Sequence, residues 1–168
     1  MFQVKTLRFL PSIIILLTIA IVSCAGGDRE NTDSQQNEEG RILDYETAVI
    51  FLDSSGDTLN TIDAAIADDE TSRTEGLMNV NNLPRNAGMI FIFNDNQPRS
   101  FWMASTPLSL DILFVNEDFE IVRIHRNTSP YSQESIPSER AAKYVVEVNA
   151  GYTTDNDINE GDRISVDL

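Results

Sequence analysis

Leu110-Asp111-Ile112-Leu113-Phe114-Val115, followed by Asn116-Glu117-Asp118 and, past Phe119, by Glu120-Ile121-Val122-Arg123-Ile124-His125-Arg126, decides the fold class. The first run is apolar throughout apart from Asp111, and it is too short for an ordinary helix. Such a run reads as a strand covered on both faces. Asn, Glu and Asp then supply a connection in which Asn and Asp tolerate turn dihedrals. The second run returns as another strand. A hairpin is expected.

The same grammar extends in both directions. Short apolar runs bounded by turn residues predict strands at Thr47–Leu52, Thr58–Ala67, Gly88–Phe93, Ser100–Met103, Tyr144–Asn149 and Arg163–Val166. Met89-Ile90-Phe91-Ile92-Phe93 is apolar on every residue and reads as a second doubly covered strand. One short helix is expected between strands two and three, where Ser72-Arg73-Thr74-Glu75 matches a capping box and Gly76 ends the helix. Tyr152–Asn159 predicts a second turn or helix. Thr128–Arg140, with Pro130 and Pro137, reads as a long exposed loop. A small β-rich domain over residues 42–168 follows.

Composition removes several function classes. The 168 residues hold 12 Lys plus Arg against 27 Asp plus Glu, a net charge of −15 and a pI near 4.2. No basic surplus exists to neutralise phosphates, which argues against a nucleic-acid partner. One Cys and one His leave no internal disulfide and no thiolate–imidazole zinc site. Any imidazole-assisted nucleophile would depend on His125. Asp155-Asn156-Asp157-Ile158-Asn159-Glu160 imitates the start of a calcium loop, but position six is Glu160 instead of Gly and position twelve is Val166. No metal site and no cofactor motif is expected.

The N-terminus carries an address. Lys5 and Arg8 precede the apolar run Ile13–Val22, the order of an export signal over residues 1–23. Ten helical residues span roughly 15 Å, half of a ~30 Å hydrocarbon layer, so a permanent span is the weaker reading. Ile21-Val22-Ser23-Cys24 resembles a bacterial lipobox, in which the Cys is acylated and becomes the new N-terminus. Cleavage there removes Lys5 and Arg8 and leaves 10 basic and 27 acidic residues, a net charge of −17. Acyl chains on Cys24, not charge, would then hold the protein to a membrane. Residues 25–41 contain no large apolar side chain, and with Cys24 they read as a lipidated flexible tether (24–41). The expected location is the bacterial cell envelope. Ala25, rather than Asp, after the Cys favours the outer membrane where one exists.

Arg73-x-x-Gly76-Leu77-Met78, Gly88–Phe93, Phe101-Trp102-Met103-x-x-Thr106-x-x-x-Leu110-Asp111, Tyr144–Gly151 and Gly161-Asp162-Arg163 occur in an order that resembles the domain-of-unknown-function family 192. The resemblance covers about Asp63 to Val166. It implies a compact, antiparallel barrel-like α+β domain, mainly β with one or two short helices, often secreted or periplasmic and without an established activity. Two departures stand out. Ala104-Ser105 replace a frequent Lys-Asn, and the loop at Thr128–Arg140 lacks the cysteines that some members carry.

Five residues are candidates for a binding site. Arg73 can clamp a carboxylate or phosphate, or form a structural pair with Asp111. Asp111, inside an apolar run, needs a partner and is either a buried structural carboxylate or the polar centre of a pocket. Trp102 beside Met103 lines an apolar pocket or fills the core. Thr106 donates to a ligand or caps its turn. Glu147 alternates outward from Tyr144, Val146 and Val148, and it forms an acid–base dyad with Asp111 only where the two side chains converge. His125 reads as a strand-end residue. These features favour a small lipid-anchored binding or accessory module, its protein or small-molecule partner unspecified. A carboxylate-based envelope hydrolase and a structural or assembly partner are the alternatives. The lack of a nucleophile–base signature, a metal cluster or a phosphate loop leans against an enzyme.

Overall fold

The computed structural model describes residues 40–168. The expected signal segment, Cys24 and the polar stretch as far as residue 39 lie outside the described residues. The described elements are β1 (Thr47–Leu52), β2 (Thr58–Ala67), α1 (Glu70–Glu75), β3 (Ala87–Phe101), β4 (Leu110–Val115), β5 (Ile121–His125), β6 (Ile136–Asn149), α2 (Tyr152–Asp155) and β7 (Arg163–Val166). All seven strands join one sheet in the order β5-β4-β6-β3-β2-β1-β7. Its two edges approach each other. Ile121 N donates to Asp162 O at 2.8 Å, Ile164 N donates to Phe119 O at 2.9 Å, and Glu120 pairs with Arg163. The sheet is therefore curled and barrel-like, and the domain is mainly β as expected.

One pairing departs from an antiparallel barrel. β2 and β3 run parallel, from Asp63 opposite Ala87 to Ala67 opposite Phe91. Parallel neighbours require a crossover connection, and α1 with residues 76–86 provides it.

The expected strands at Gly88–Phe93 and Ser100–Met103 are not separate. Asn94-Asp95-Asn96-Gln97-Pro98 reads locally as a loop, yet the chain stays extended and β3 continues to Phe101 because it pairs with β6. Gln97 lies opposite Ala142, Pro98 opposite Ala141 and Phe101 opposite Ile136. The end of the expected loop, from Ile136, is thus strand. Between Pro98 and Ser100 the register slips, beside Glu139 at φ 58°. Ser138 Oγ serves the irregularity, accepting from Arg99 N at 2.9 Å and donating to Arg140 O at 2.5 Å. A bulge is where a strand tolerates proline.

The α1 helix starts earlier than the Ser72 cap predicted from sequence. Asp69 is the N-cap, its Oδ1 accepting from Thr71 N and Ser72 N at 2.7 and 3.0 Å, while Ser72 Oγ accepts from Asp69 N at 3.2 Å. These donors hold the Asp69 carboxyl below its ordinary pKa. Gly76 closes the helix, as expected, with its N–H on Ser72 O. Gly40 and Arg41, counted with the tether in the sequence, lie against the domain. Arg41 N donates to Asn79 O at 2.7 Å, and its guanidinium reaches Glu75 at 2.9 Å and the Gly76 carbonyl.

Two apolar layers result. The inner one draws on all seven strands, with Phe51, Ile62, Ile90, Leu113, Ile121, Val146 and Ile164 inside the curl, closed at one end by Tyr152 and Ile158. The outer one covers β2, β3, β6, β4 and β5 with Leu77, Val80, Leu83 and Met103 from the connecting segments. Sheet positions that point away from the barrel interior are buried by this second layer.

Candidate functional site

Each face of β6 holds one of the two candidate carboxylates' neighbourhoods. Paired residues of an antiparallel ladder share a face. Asp111 lies opposite Val148, on the inner layer's side, and Glu147 lies opposite Ile112, on the outer layer's side. The two carboxylates therefore point to opposite faces of the sheet and form no dyad.

Asp111 is fully buried and fully engaged. Its Oδ1 accepts from Asn127 N at 2.9 Å and Gly151 N at 3.2 Å; its Oδ2 accepts from Thr153 N at 3.0 Å and Thr153 Oγ1 at 2.6 Å. Thr153 Oγ1 in turn accepts from Arg126 Nε at 3.0 Å. The carboxylate ties the turn after β5 to the start of α2, and the nearby cation is Arg126 acting through Thr153. The expected pair with Arg73 is absent. Arg73 donates from Nη1 to the Asp68 carbonyl and to Ile92 O at 2.9 Å, and its guanidinium lies 5.3 Å from the Phe93 ring.

Thr106 is buried in its turn, with Oγ1 donating to Ala104 O at 3.3 Å, its N–H on Met103 O and its carbonyl accepting from Tyr131 N. Met103 is core, whereas Trp102 is 60 % exposed. His125 sits at the end of β5, its Nε2 2.8 Å from Pro137 O and its ring edge-on to Phe114.

A cavity of about 310 Å³ opens between α1, the segment after it and the outer part of β3. Arg73, Trp102 and Glu147 line it; Thr106 and Asp111 do not. Leu77 and Met78 form one wall. Phe91, Phe93 and Phe101 form the other, with edge-to-face contacts of Phe101 on Phe91 at 5.0 Å and on Phe93 at 6.4 Å. Arg99 lies on the same Phe93, 3.5 Å from the ring centroid, anchored by Asp95 and Ala142 O. Glu70 and Glu75 stand at the mouth. Gly76 is part of the lining at φ 46°, and a Cβ there would sit 3.2 Å from Phe91 Cζ.

Glu147 is the unusual member. It is 4 % exposed, no donor among the described residues reaches its carboxyl, and burial raises its pKa from 4.5 to about 8. A glutamate on a central strand, flanked by Met89 and Ile112, would ordinarily be paired or replaced. Buried carboxyls of raised pKa facing a cavity concentrate at functional sites. Alternation along β6 identified Glu147 as pointing away from the barrel interior; the layer that buries it arises from distant segments. The aromatic wall was missed because Phe91 and Phe93 read as part of a doubly covered strand and Phe101 was assigned no role. Their spacing along one strand face was the available signal, obscured by the loop-like residues between them.

The whole arrangement falls inside the region matched by the model of the family DUF192, described as "Uncharacterized ACR", which spans residues 50–166. The chain belongs to DUF192. Two solved structures resemble this member of the family. A candidate transcription regulator from Sinorhizobium meliloti 1021 is 34 % identical, with 76 % of this chain and 98 % of that chain covered and a TM-score of 0.70. A protein of unknown function from Novosphingobium aromaticivorans DSM 12444 is 27 % identical, with 76 % and 95 % covered and a TM-score of 0.68. No curated protein matches the chain. The DUF192 match includes Arg73, Trp102 and Glu147, so the cavity is built from the family's own segment.

Proposed function

We propose that this DUF192 protein is a lipid-anchored cell-envelope binding module whose β domain takes a small ligand in the cavity beneath α1. The observation that carries the reading is Glu147: a residue 4 % exposed, its carboxyl without a donor among the described residues, opening onto an aromatic-walled hollow of about 310 Å³. That volume lies at the lower end of ordinary ligand sites, and an apolar lining with a few polar groups is their usual composition. The separation of Asp111 and Glu147 onto opposite faces takes from the hydrolase alternative the dyad it requires.

The anchor rests on Ile21-Val22-Ser23-Cys24 and on the polar stretch that follows. Acyl chains on Cys24 would hold the domain at a membrane, outer where the cell has two, and the stretch would let it stand off. Cys24→Ser tests this part: the variant is expected to be soluble or unprocessed. A processed, mature-sized variant that still fractionates with membranes would refute it.

For the cavity, a thermal-shift screen of the full chain against small polar–apolar molecules is decisive. Hits that raise the Tm of the parent are expected to lose their effect in Trp102→Ala and Glu147→Gln. Hits that act equally on parent and variants, or no hits at all, would remove the cavity as the binding site.

A further inference from the structure

Glu147 states which ligand chemistry the cavity lacks. Its carboxyl is buried against Met89 and Ile112 from the neighbouring strands, with no lysine, arginine, hydroxyl or backbone N–H on it among the described residues. For the ionised carboxylate the missing complement is a donor, and the strongest one in a low-dielectric site is cationic.

The remaining charges around the cavity point the same way. Glu70, Arg73 and Glu75 come from α1, and β3 contributes only the uncharged Ser100 beside its aromatic residues. Arg73 is already committed to two carbonyl oxygens and to the Phe93 ring, and Arg41 offsets Glu75 from outside. An anionic ligand would meet three lining carboxylates, Glu70, Glu75 and Glu147, against the single lining cation Arg73, whose Nη1 is already held by two carbonyl oxygens. A cation would be drawn in by the field of a chain carrying a net charge of −15. It would also find aromatic faces, which attract ammonium groups.

We infer that the cavity binds an organic monoammonium ligand, a primary or secondary amine with a compact apolar or aromatic body, its cationic head on Glu147 and its body against Phe91, Phe101 and Trp102. The inference rests on the cavity being a ligand site, as proposed above. The size suits it: about 310 Å³ holds a small ring or short chain and excludes a polymer. Trp102, 60 % exposed at the mouth, is placed to close over the body of the ligand.

Binding carries a proton signature. The unliganded carboxyl has a pKa of about 8, so at pH 7 it is mostly protonated, and pairing with an ammonium expels that proton to the buffer. Affinity for an amine is then expected to rise about tenfold per pH unit from pH 6 and to level off near pH 8.

Trp102 is the chain's only tryptophan, so intrinsic fluorescence reports on the mouth of the cavity alone. The test titrates the full chain with primary amines from propylamine to tryptamine, the indole probe being followed by calorimetry. Each amine is matched by its alcohol and its carboxylate. The expected result is a preference of at least tenfold for the amine at pH 8, abolished in Glu147→Gln, with about one proton released per amine bound at pH 7 by calorimetry in two buffers. Equal or better binding of the alcohol or carboxylate overturns the cation assignment and leaves the ligand site standing. No binding of any class to a folded protein overturns both. Should Glu147→Gln fail to fold, the proton count in the parent decides alone: no release refutes the pairing.

Discussion

Asp111→Asn is the sharpest probe of what the fold depends on. The substitution keeps the shape of the side chain and one acceptor oxygen, which can still serve Asn127 N and Gly151 N. The other oxygen becomes an amide that faces two donors, Thr153 N at 3.0 Å and Thr153 Oγ1 at 2.6 Å. The hydroxyl can rotate away; the backbone N–H cannot. A buried donor left without a partner costs about 1–3 kcal/mol, and hydrogen bonds to a charged acceptor are worth about 1.5–3 kcal/mol. A loss of about 3 kcal/mol is therefore expected, a large share of a typical domain's stability. In a domain of this size each kcal/mol moves Tm by roughly 3–5 °C, so Tm should fall by roughly 10–15 °C. The assay is thermal melting of the full chain by circular dichroism, with Arg73→Gln and the double variant alongside. Arg73→Gln loses bonds to two carbonyls that do not involve Asp111, so the two effects should add within about 0.5 kcal/mol. An Asp111→Asn variant that melts like the parent would refute the account of the buried network. A coupling above about 1 kcal/mol would restore the direct Arg73–Asp111 pair that the geometry denies.

Two glycines separate steric from conformational need. At Gly88 a Cβ would stand 2.4 Å from Glu147 O and 2.8 Å from Ile62 Cδ1, so Gly88→Ala should cost on the order of 1–3 kcal/mol or more by forcing β3 from β6. At Gly151 nothing lies within 4 Å but φ is +84°, so Gly151→Ala should cost only about 1–2 kcal/mol. Urea unfolding checks the order, and a reversal would refute the packing at Gly88. Glu147 makes stability depend on pH. Its folded pKa of about 8 exceeds the ordinary 4.5, so the folded chain binds the proton more tightly than the unfolded one. The contribution is complete below about pH 4.5 and is lost as pH rises to about 8, a few kcal/mol at most. Glu147→Gln should remove this slope and melt higher than the parent at pH 8. Parallel Tm–pH curves for parent and variant would contradict a buried, unpaired carboxyl.

Local sequence determined a good deal. β1, β2, β4 and β7 each end where an apolar run meets Asp or Asn, because turn dihedrals and the two-residue side-chain repeat are local properties. The family match agrees with the motifs from Gly76-Leu77-Met78 to Gly161-Asp162-Arg163. Wherever a residue's state depended on a distant partner, tertiary structure decided. Asn94–Pro98 carries turn chemistry but lies in β3, because β6 supplies the pairing. Asp111 needed donors, and they arrive from Asn127, Gly151 and Thr153, none of which the apolar run around it could indicate. Glu147 shows the division most clearly. Period-two alternation places its side chain on the face away from the barrel interior, and on an isolated strand that face would be wet. Leu77 and Phe101, 70 and 46 positions earlier in the chain, fold over it and turn a surface carboxylate into a buried one. Its burial, its raised pKa and the cavity above it are products of long-range packing, which no local pattern encodes.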